Sequence, residues 1–304
     1  MQTRNGVKGA TIVITGASSG FGRGAALKLA ELGANVVIAA RRTEALTELE
    51  TQINSSGGRA LALTTDVSDA EAVKRLGAAA IDQFGSIDIW VNNAGIGVLG
   101  LFWDAPLEDY DRLIDVNLKG VVYGAHVAIN QFREQGYGTL INVGSIDSEV
   151  PLAYQTVYAS TKSAVLSISR SLNAELSLAG YDDIKVGTIM PWAVDTPWWS
   201  HAANYTGHAP RMAAMDDPQI VIDEIVEACT NPKEEQPVGW KAQSSNVSHR
   251  VFANFSEFMT AKVADHSVKK ATPMASSTGA IYEPIATTVS VDGGIRERMK
   301  REDE

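Results

Sequence analysis

The chain has 304 residues, 45% hydrophobic and 20% charged, which is the composition of a soluble globular protein. Its formal net charge of −10 argues against nucleic acid or an anionic membrane surface as the main partner. Cys229 is the only cysteine, so an intrachain disulfide is excluded and a reducing compartment fits. The opening residues contain no apolar signal core, and no later run approaches the ~18 apolar residues of a membrane span. We therefore expect a cytoplasmic protein.

Short apolar runs alternate with stretches of helical periodicity as far as residue 191. Strands are predicted within 11–15, 35–40, 60–69, 86–95, 139–145 and 184–191. Helices are predicted within 22–33, 43–58, 70–85, 108–133 and 156–179. The alternation indicates βαβ units, and continuous apolar strands indicate a sheet that helices cover on both faces. The expected fold is α/β, with one doubly wound parallel sheet of the Rossmann type in a single domain, 1–304.

The character of the sequence changes after residue 191. A stretch rich in proline and aromatic residues follows and is predicted to be a long loop. Next come a helix within 216–232, one more strand within 236–240 and an amphipathic stretch at 251–263. The last residues, 296–304, are a charged tail that we expect to be solvated and frayed.

A glycine-rich loop, TGASSGFG at 15–22, joins the first strand to the first helix. Gly16, Gly20 and Gly22 allow a tight turn and a close approach of the backbone to a ligand. The helix start that follows offers free N–H groups and a positive dipole end to a pyrophosphate. The spacing departs from G-x-G-x-x-G, so it is the place of the loop in the first βα turn that favours a dinucleotide site.

The second strand ends in two arginines, Arg41 and Arg42, and no carboxylate. In dinucleotide-binding folds an acidic residue here binds the ribose 2′-hydroxyl, whereas an arginine accommodates a 2′-phosphate. A solvated basic helix cap is the alternative. We predict a preference for NADP(H) over NAD(H), with Arg41 as the main contact and Arg42 as the secondary one.

Tyr158 and Lys162 lie one helical turn apart in the sequence YASTK, so a helix places them on one face. An ammonium group beside a phenol favours the phenolate, which suits a tuned proton donor. Two surface residues that share a face would show the same spacing.

Six motifs in sequence order resemble those of the short-chain dehydrogenase/reductase family. They are TGASSGFG for the TGxxxGxG loop, Asp66–Val67 for the adenine contact, NNAG at 92–95, Asn117 in DVNLKG, Ser145 in NVGS, and YASTK for YxxxK. Tyr158 follows Ser145 at a spacing typical of the family. The resemblance covers residues 9–197, and six motifs in order make it specific.

The resemblance implies a role for each matching residue. Tyr158 is the general acid, and Lys162 lowers its pKa and holds the nicotinamide ribose. Ser145 donates a hydrogen bond to the carbonyl oxygen, and Asn117 holds a water that links Lys162 to solvent. The expected cofactor-binding residues are Gly16, Ser18, Ser19, Gly20, Phe21, Gly22, Arg41, Arg42, Asp66, Val67, Asn93, Ala94, Gly95, Tyr158, Lys162, Pro191 and Thr196. The dinucleotide-binding and catalytic core is then 9–191, and 192–285 holds the substrate loop and the C-terminal helices.

Two features depart from the family pattern. Trp192 follows Pro191 where the family has glycine, so the pocket floor is expected to differ. VDGG at 291–294 resembles the family's closing motif but lies much further past the tyrosine than in compact members. We favour a branch that closes with Val238–Gly239, the 251–263 stretch and Ile281–Pro284, and we interpret VDGG as a chance match. Deleting 286–304 is then expected to leave a folded protein that binds cofactor.

The substrate is expected to be a bulky apolar carbonyl compound or secondary alcohol, because tryptophans follow the sixth strand. The predicted substrate contacts are Ser145, Trp192, Trp198 and Trp199, and His201 and Tyr205 belong to the same stretch. A loop folded on its own aromatic residues, or a subunit contact, explains that stretch equally well. His126 is expected in the core or on the surface, and no residue set has metal-ligand spacing, so no metal is predicted.

The predicted function is that of an NADP(H)-dependent oxidoreductase that transfers hydride between the nicotinamide and a carbonyl or alcohol. One alternative is an NADP(H)-binding sensor without turnover, which the intact Asn117, Ser145, Tyr158 and Lys162 set disfavours. Another is a sugar-nucleotide epimerase or dehydratase, which shares YxxxK but has a differently spaced glycine loop. The expected partners are a small-molecule substrate and further copies of the chain, in a homodimer or homotetramer.

Overall fold

A computed structural model gives the fold of the protein and describes residues 6–251, 253–285 and 288–304. Residue 252, inside the predicted amphipathic stretch, lies outside the described residues. So do 1–5, in the opening segment without a predicted signal, and 286–287, the first two residues of the proposed deletion.

Seven strands of the described chain form one sheet in the order β3-β2-β1-β4-β6-β7-β9, and every neighbouring pair is parallel. The strands are β1 (Thr11–Thr15), β2 (Asn35–Ala40), β3 (Arg59–Thr64), β4 (Ile89–Asn92), β5 (Val98–Leu99), β6 (Gly138–Val143), β7 (Ile184–Pro191), β8 (Ala203–Asn204) and β9 (Glu235–Val238). The short strands β5 and β8 pair separately.

Helices connect the strands and continue beyond them. They are α1 (Gly20–Glu31), α2 (Thr43–Ser55), α3 (Ala70–Phe84), α4 (Leu107–Ile114), α5 (Gly120–Gln135), α6 (Thr156–Leu178), α7 (Trp198–His201), α8 (Gln219–Ala228), α9 (Gly239–Val251), α10 (Ala253–Lys270) and α11 (Ile295–Asp303). A 3₁₀ turn, Ile146–Ser148, follows β6.

Alternate side chains of each strand enter two cores on opposite faces of the sheet. Ile12 and Ile14 of β1 pack in a cluster with α1, α2 and α8, whereas Val13 packs in a cluster with α3, α5 and α6. Because both faces are covered, the central strands β1, β2 and β4 are buried along their full length. The predicted doubly wound α/β fold is confirmed.

The helix predicted within 108–133 contains one irregular turn. Asp115–Lys119 form a single π-helical turn between α4 and α5. Turns of this kind are rare and occur mostly at functional sites. Asn117 lies at its centre and is fully buried.

The C-terminal third contains one confirmed strand and one error of prediction. β9 falls in the predicted segment 236–240 and forms the last strand of the sheet beside β7. VDGG forms no strand; it precedes α11. The expected frayed tail is instead this helix, and Arg211 forms ion pairs with Glu302 and Asp303 at its end.

The fold also shows the surroundings of Cys229 and His126 and the distribution of possible metal ligands and apolar helices. Cys229 is buried, as predicted, and His126 is exposed on α5 beside Asn130. No three His, Cys, Asp or Glu side chains in the described part of the chain are placed to share a metal ion. None of the described helices combines the length and hydrophobicity of a membrane span.

Candidate active site

A cavity of about 250 Å³ lies at the carboxyl ends of β1, β4, β6 and β7. The chain winds outward from β1 in one direction and from β4 in the other, and ligands of doubly wound sheets bind where the order reverses. Every residue predicted above to bind cofactor, react or contact substrate lines this cavity, with the exception of Gly22 and Asn117.

Two glycines of the loop after β1, Gly16 and Gly22, leave no room for a side chain. Gly16 has φ +70°, and a Cβ added there would lie 2.8 Å from the Cα atom of Ala94. At Gly22 an added Cβ would lie 2.5 Å from the carbonyl oxygen of Gly16, so Gly22 allows α1 to pack against the loop. The Asn93 side chain donates to the Thr15 carbonyl (2.8 Å) and ties the NNAG loop to this turn.

Arg41 reaches the C-terminal segment, which we define as residues 280–285 and 288–296. Its guanidinium donates to the carbonyl oxygens of Ala280 (2.6 Å), Ile281 (3.0 Å) and Tyr282 (2.6 Å). The segment therefore forms one wall of the cavity at the end of β2, where a 2′-phosphate was predicted to bind.

Arg42 joins the glycine loop to the same segment. Its Nε and Nη2 atoms donate to the hydroxyls of Ser18 (3.0 Å) and Ser19 (2.6 Å). Its Nη1 atom donates to the carbonyls of Ile285 (3.1 Å) and Thr288 (2.8 Å).

The positive charges of Arg41 and Arg42 are not neutralised by a salt bridge with any described residue. Burial lowers the pKa of both guanidinium groups, and the charge of Arg112 lowers that of Arg41 further. The charge of Arg41 in turn lowers the pKa of Arg42. Arg41 and Arg42 are neighbouring cations, and their hydrogen bonds go mainly to neutral oxygen atoms. Together they form a site that favours an anion.

The turn after β3 supplies an acidic group to the cavity wall. Asp66 accepts hydrogen bonds from the Ser68 backbone (2.9 Å) and from Arg112 of α4 (2.6 Å). Burial raises the pKa of Asp66, but these hydrogen bonds outweigh burial and keep it below its ordinary value. The neighbouring Val67 lines the cavity beside it.

Ser145, Tyr158 and Lys162 converge at the other end of the cavity. The Ser145 Oγ atom accepts from the Asp147 backbone (3.1 Å), and its hydroxyl group also lies within hydrogen-bond reach of Tyr158. Tyr158 and Lys162 lie one turn apart on α6, with the Lys162 Nζ atom 5.7 Å from the phenol ring centroid. Lys162 is 5% exposed, and its Nζ atom donates to the Val143 carbonyl (2.7 Å).

Asn117 lies behind the cavity wall and holds the NNAG loop. Its side-chain amide donates to the Ile96 carbonyl (2.9 Å), and its carbonyl accepts from the Ile96 backbone (2.8 Å). A Cβ added at Gly95 would lie 3.5 Å from the Asn117 Oδ1 atom and 3.7 Å from the Lys162 Nζ atom, so the two groups flank that glycine.

The pKa values of the Tyr158 and Lys162 pair differ from expectation. Burial and the nearby Asp147 raise the pKa of Tyr158, and hydrogen bonding by Ser145 only partly offsets them. Burial lowers the pKa of Lys162 to about 8. The expected lowering of the Tyr158 pKa is therefore not seen, because burial and the charge of Asp147 outweigh the hydrogen bond from Ser145.

The tryptophans predicted to contact substrate take different positions. Trp198 packs against Tyr158, with ring centroids 5.2 Å apart, and covers Gly97. Trp199 is buried and donates from its indole to the Val194 carbonyl (2.8 Å). Trp192 contacts the apolar cluster beside the 3₁₀ turn. The aromatic residues that follow β7 thus line the cavity and also pack on one another.

His201 and Tyr205, which follow the tryptophans, each contact a residue of another segment of the chain. Burial and the charges of Arg42 and Arg41 lower the pKa of His201 to about 4, and its ring contacts the Thr288 hydroxyl. Tyr205 does not line the cavity and donates to Asp109.

Asp195 anchors VDGG and the start of α11 next to the cofactor-binding candidate Thr196. Its side chain is 1% exposed and accepts from the Ile295 and Arg296 backbones (both 2.8 Å). In addition, the Gly20 backbone donates to the Ser290 carbonyl (2.9 Å). Described residues of 286–304 therefore contact the glycine loop and pack beside Thr196. That their deletion leaves cofactor binding intact stays a prediction, which these contacts count against.

Sequence reasoning missed Asp147 and Arg112, and it named Ile281–Pro284 as a closing element without placing it against Arg41. Asp147 follows the family serine by two residues and lines the cavity, which a check of that turn for ionisable residues would have found. Arg112 reaches the site only through long-range contacts, for which the sequence carries no local signal, and the same is true of the contact between 280–285 and Arg41.

Comparison with known proteins places the chain among oxidoreductases. The family profile described as short chain dehydrogenase matches residues 10–205. The chain is 36% identical to the uncharacterized oxidoreductase YxnA of Bacillus subtilis over 264 residues, 86% of this chain and 74% of the relative. It is 34% identical to an uncharacterized oxidoreductase of Staphylococcus haemolyticus over 226 residues, 74% of this chain and 93% of the relative.

Two solved structures share the fold. A 3-ketoacyl-(acyl-carrier-protein) reductase from Brucella melitensis, complexed with NADH, superposes with a TM-score of 0.68 at 29% identity. The match covers 78% of this chain and 99% of that one. An alcohol dehydrogenase from Thermococcus sibiricus, complexed with 5-hydroxy-NADP, gives a TM-score of 0.64 at 25% identity, over 75% of this chain and 93% of that one.

Proposed function

The chain belongs to the short-chain dehydrogenase/reductase family, and we propose that it uses NADP(H) to interconvert a carbonyl compound and a secondary alcohol. The observation that carries this proposal is the convergence of Ser145, Tyr158 and Lys162 at the end of a cavity that also reaches Arg41. A reactive group and a phosphate-binding group at opposite ends of one cavity suit a dinucleotide.

The residues around the cavity fit a nicotinamide dinucleotide. Gly16 provides backbone that no side chain covers, and the start of α1 directs a positive dipole end into the cavity. Lys162 lies where a ribose would meet the reacting groups. When bound, such a cofactor supplies a hydride to the substrate carbonyl carbon or accepts one from the alcohol.

The protein's own side chains manage the substrate oxygen. The Ser145 hydroxyl donates a hydrogen bond to that oxygen as negative charge develops on it. Tyr158 donates its proton in reduction and takes it back in oxidation. Because burial raises the pKa of Tyr158, the phenol stays protonated at neutral pH, which is the form that donates. Lys162, with a pKa of about 8, is placed to return the proton, and Asn117 to connect it to solvent.

The preference for NADP(H) follows from the charges at the end of β2. Arg41 and Arg42 donate to backbone carbonyls and hydroxyls. The carboxylates of Asp66 and Glu283 act on Arg41 without a salt bridge, so a 2′-phosphate would supply a directly bonded counter-charge. Asp66 is engaged by Arg112 and Ser68. This arrangement favours a phosphorylated ribose over one with a free 2′-hydroxyl.

The substrate side of the cavity favours an apolar body. Trp198 lies on Tyr158, and Leu152, Val150 and Met212 also line the cavity. The epimerase and sensor alternatives lack comparable support, because the matching family, the two relatives and the two solved structures are dehydrogenases, reductases or oxidoreductases.

A panel of ketones and secondary alcohols, followed by cofactor absorbance with NADP(H) and NAD(H), tests the proposal. We expect steady turnover of at least one aryl or alkyl ketone with NADPH, and weaker turnover with NADH. Tight NADPH binding without turnover of any carbonyl compound would favour the sensor alternative.

A further inference from the structure

Asp147 is a buried carboxylate in the reactive end of the cavity that the proposed mechanism does not use. It is 6% exposed and lines the cavity with Ser145, Tyr158 and Lys162. Its backbone donates to the Ser145 Oγ atom, but no described residue donates a hydrogen bond to its carboxylate.

An unpaired carboxylate at this depth is costly. Burying a charged or polar group without a hydrogen-bond donor destabilises a protein, and native structures keep such groups mainly where a ligand or water completes them. Lys162 acts on Asp147 electrostatically but forms no salt bridge with it. Its own Nζ atom donates to the Val143 carbonyl instead. The carboxylate therefore remains available to a bound molecule.

The turn fixes Asp147 close to the reacting oxygen. Two consecutive residue steps span at most ~7 Å, so Asp147 cannot lie far from Ser145, which contacts that oxygen in the proposed mechanism. The Ser148 hydroxyl accepts from the Ser145 backbone (3.4 Å), and the Ser148 carbonyl accepts from Ser163 of α6 (2.9 Å). These bonds hold the 3₁₀ turn against α6, so the carboxylate has a defined position.

We propose that Asp147 selects substrates that carry a hydrogen-bond donor, a hydroxyl or an ammonium group, within two carbons of the reacting carbonyl carbon. The inference rests on the proposed oxidoreductase function and narrows its substrate class to hydroxy- or amino-ketones and the corresponding alcohols. The apolar wall formed by Trp198 and its neighbours receives the rest of the molecule. Asp147 accepts the hydrogen bond and takes no part in the hydride or proton transfer.

Matched aryl ketones test the proposal. The probes are α-hydroxyacetophenone and β-hydroxypropiophenone, which carry a hydroxyl donor, and α-dimethylaminoacetophenone, which carries an ammonium donor. The controls are α-methoxyacetophenone, which can only accept, and propiophenone, which has a methyl group in place of the hydroxyl. We expect kcat/KM for at least one donor ketone to exceed that of its matched control by about 10- to 100-fold, the range for hydrogen bonds to charged groups. The hydroxyl and ammonium arms distinguish the two kinds of donor.

Asp147→Asn provides the decisive comparison. Within this variant, kcat/KM for the donor ketone should exceed that for propiophenone by less than about 3-fold. The ratio is the readout, because losing a charge that acts on Tyr158 changes the turnover of both ketones. The matched control is Glu149→Gln, one residue beyond the same turn, where the carboxylate pairs with Arg170 and does not line the cavity. That variant should keep the full preference. Asp147→Ser is a second substitution at the same position, in case the asparagine variant misfolds. NADPH titration and thermal melting check that both variants fold and bind cofactor.

The pH dependence of the donor preference is a second test, because a purely structural role of Asp147 would leave that preference independent of pH. Burial raises the pKa of Asp147 to about 7, and the titratable groups that act on it are Lys162 and Tyr158 of α6. The preference for hydroxy over methoxy ketone should therefore rise as the pH rises through about 7, and it should be flat in Asp147→Asn. Any change caused by Lys162 would persist in both proteins.

The outcomes separate the two levels of the proposal. Turnover of these ketones without a donor preference, or an equal preference in Asp147→Asn, overturns the inference and leaves the oxidoreductase function standing. Failure of the wild-type protein to turn over any ketone, despite NADPH binding, overturns the proposed function and the inference with it.

Discussion

At the scale of single residues, burial controls the ionisation of the reactive groups. Burial raises the pKa values of Tyr158 and Asp147 and lowers that of Lys162 to about 8, so each shift favours the neutral form. The YASTK spacing predicts which two side chains share a helix face, but it carries no information about how deeply that face is buried.

Asp147 should make the stability of the protein depend on pH. Its pKa is about 7 in the folded chain against an ordinary value of 3.8, so between these values the folded state binds more protons than the unfolded state. The free energy of unfolding should therefore fall as the pH rises from about 4 to about 7. Chemical denaturation at several pH values should show this slope in the wild type and a flatter one in Asp147→Asn. An identical slope in both proteins would mean that Asp147 titrates at its ordinary pKa.

Arg41→Ala should lower the affinity for NADPH more than the affinity for NADH. A charge-assisted hydrogen bond to the 2′-phosphate contributes ~1.5–3 kcal/mol, or roughly 10- to 100-fold in dissociation constant. Arg59→Ala makes the same change in net charge at an exposed position over the Phe84 ring, outside the cavity. Fluorescence titration of both variants with both cofactors checks the prediction. Equal losses for NADPH and NADH in Arg41→Ala would mean that Arg41 only holds the C-terminal segment.

At the scale of the elements, the long strands and helices up to residue 191 could be predicted because their periodicity is local, whereas the two-residue strand β5 and the π-helical turn were not. The strand in 236–240 was also visible as a short apolar run. The helix Ile295–Asp303 was not, because its charged sequence predicts a solvated tail and its stability comes from distant partners such as Arg211 and Asp195. Ile281–Pro284 was predicted as a closing element, but its contact with Arg41 depends on distant partners in the same way.

Asp195→Ala should destabilise the protein far more than Asp217→Ala. Both carboxylates pair with Arg296, but only Asp195 is buried and bonded to the backbone at the start of α11. Breaking a buried charge pair costs ~3–5 kcal/mol, whereas an exposed pair contributes at most ~1 kcal/mol. Thermal and urea unfolding of the two variants measure the difference. NADPH affinity should fall in Asp195→Ala as well, because Thr196 is adjacent. Similar small losses in both variants would show that α11 is dispensable.

At the scale of the whole molecule, the sheet order places the functional residues. The doubly wound topology brings the carboxyl ends of several strands to one cavity. The glycine loop, the two arginines, Ser145 and Tyr158 meet there although they belong to separate elements. The order of the motifs therefore predicts most of the candidate site. Asp147 was missed because the sequence does not show that its carboxylate is buried without a partner.

We expect the protein to form a homodimer or homotetramer. Trp103 and Leu107, 77% and 72% exposed, lie close together before and at the start of α4, with Phe102 beside them. Exposed apolar clusters of this kind mark contact surfaces more often than isolated residues do. Sedimentation velocity should give an oligomer for the wild type and a smaller species for a Trp103→Glu, Leu107→Glu variant. A monomeric wild type at micromolar concentration would contradict this prediction.

The central claim is that this chain is a carbonyl/alcohol oxidoreductase in which Tyr158 transfers the proton. Turnover of the best ketone by the wild type and by Tyr158→Phe, with NADPH affinity measured in parallel, tests it most directly. Phenylalanine keeps the ring that packs on Trp198 and removes only the hydroxyl. General acid catalysis contributes ~10²- to 10⁴-fold, so kcat should fall by at least about 100-fold while the NADPH dissociation constant changes little. Near-normal turnover by Tyr158→Phe would contradict the assignment of Tyr158 as the proton donor and, with it, the proposed mechanism.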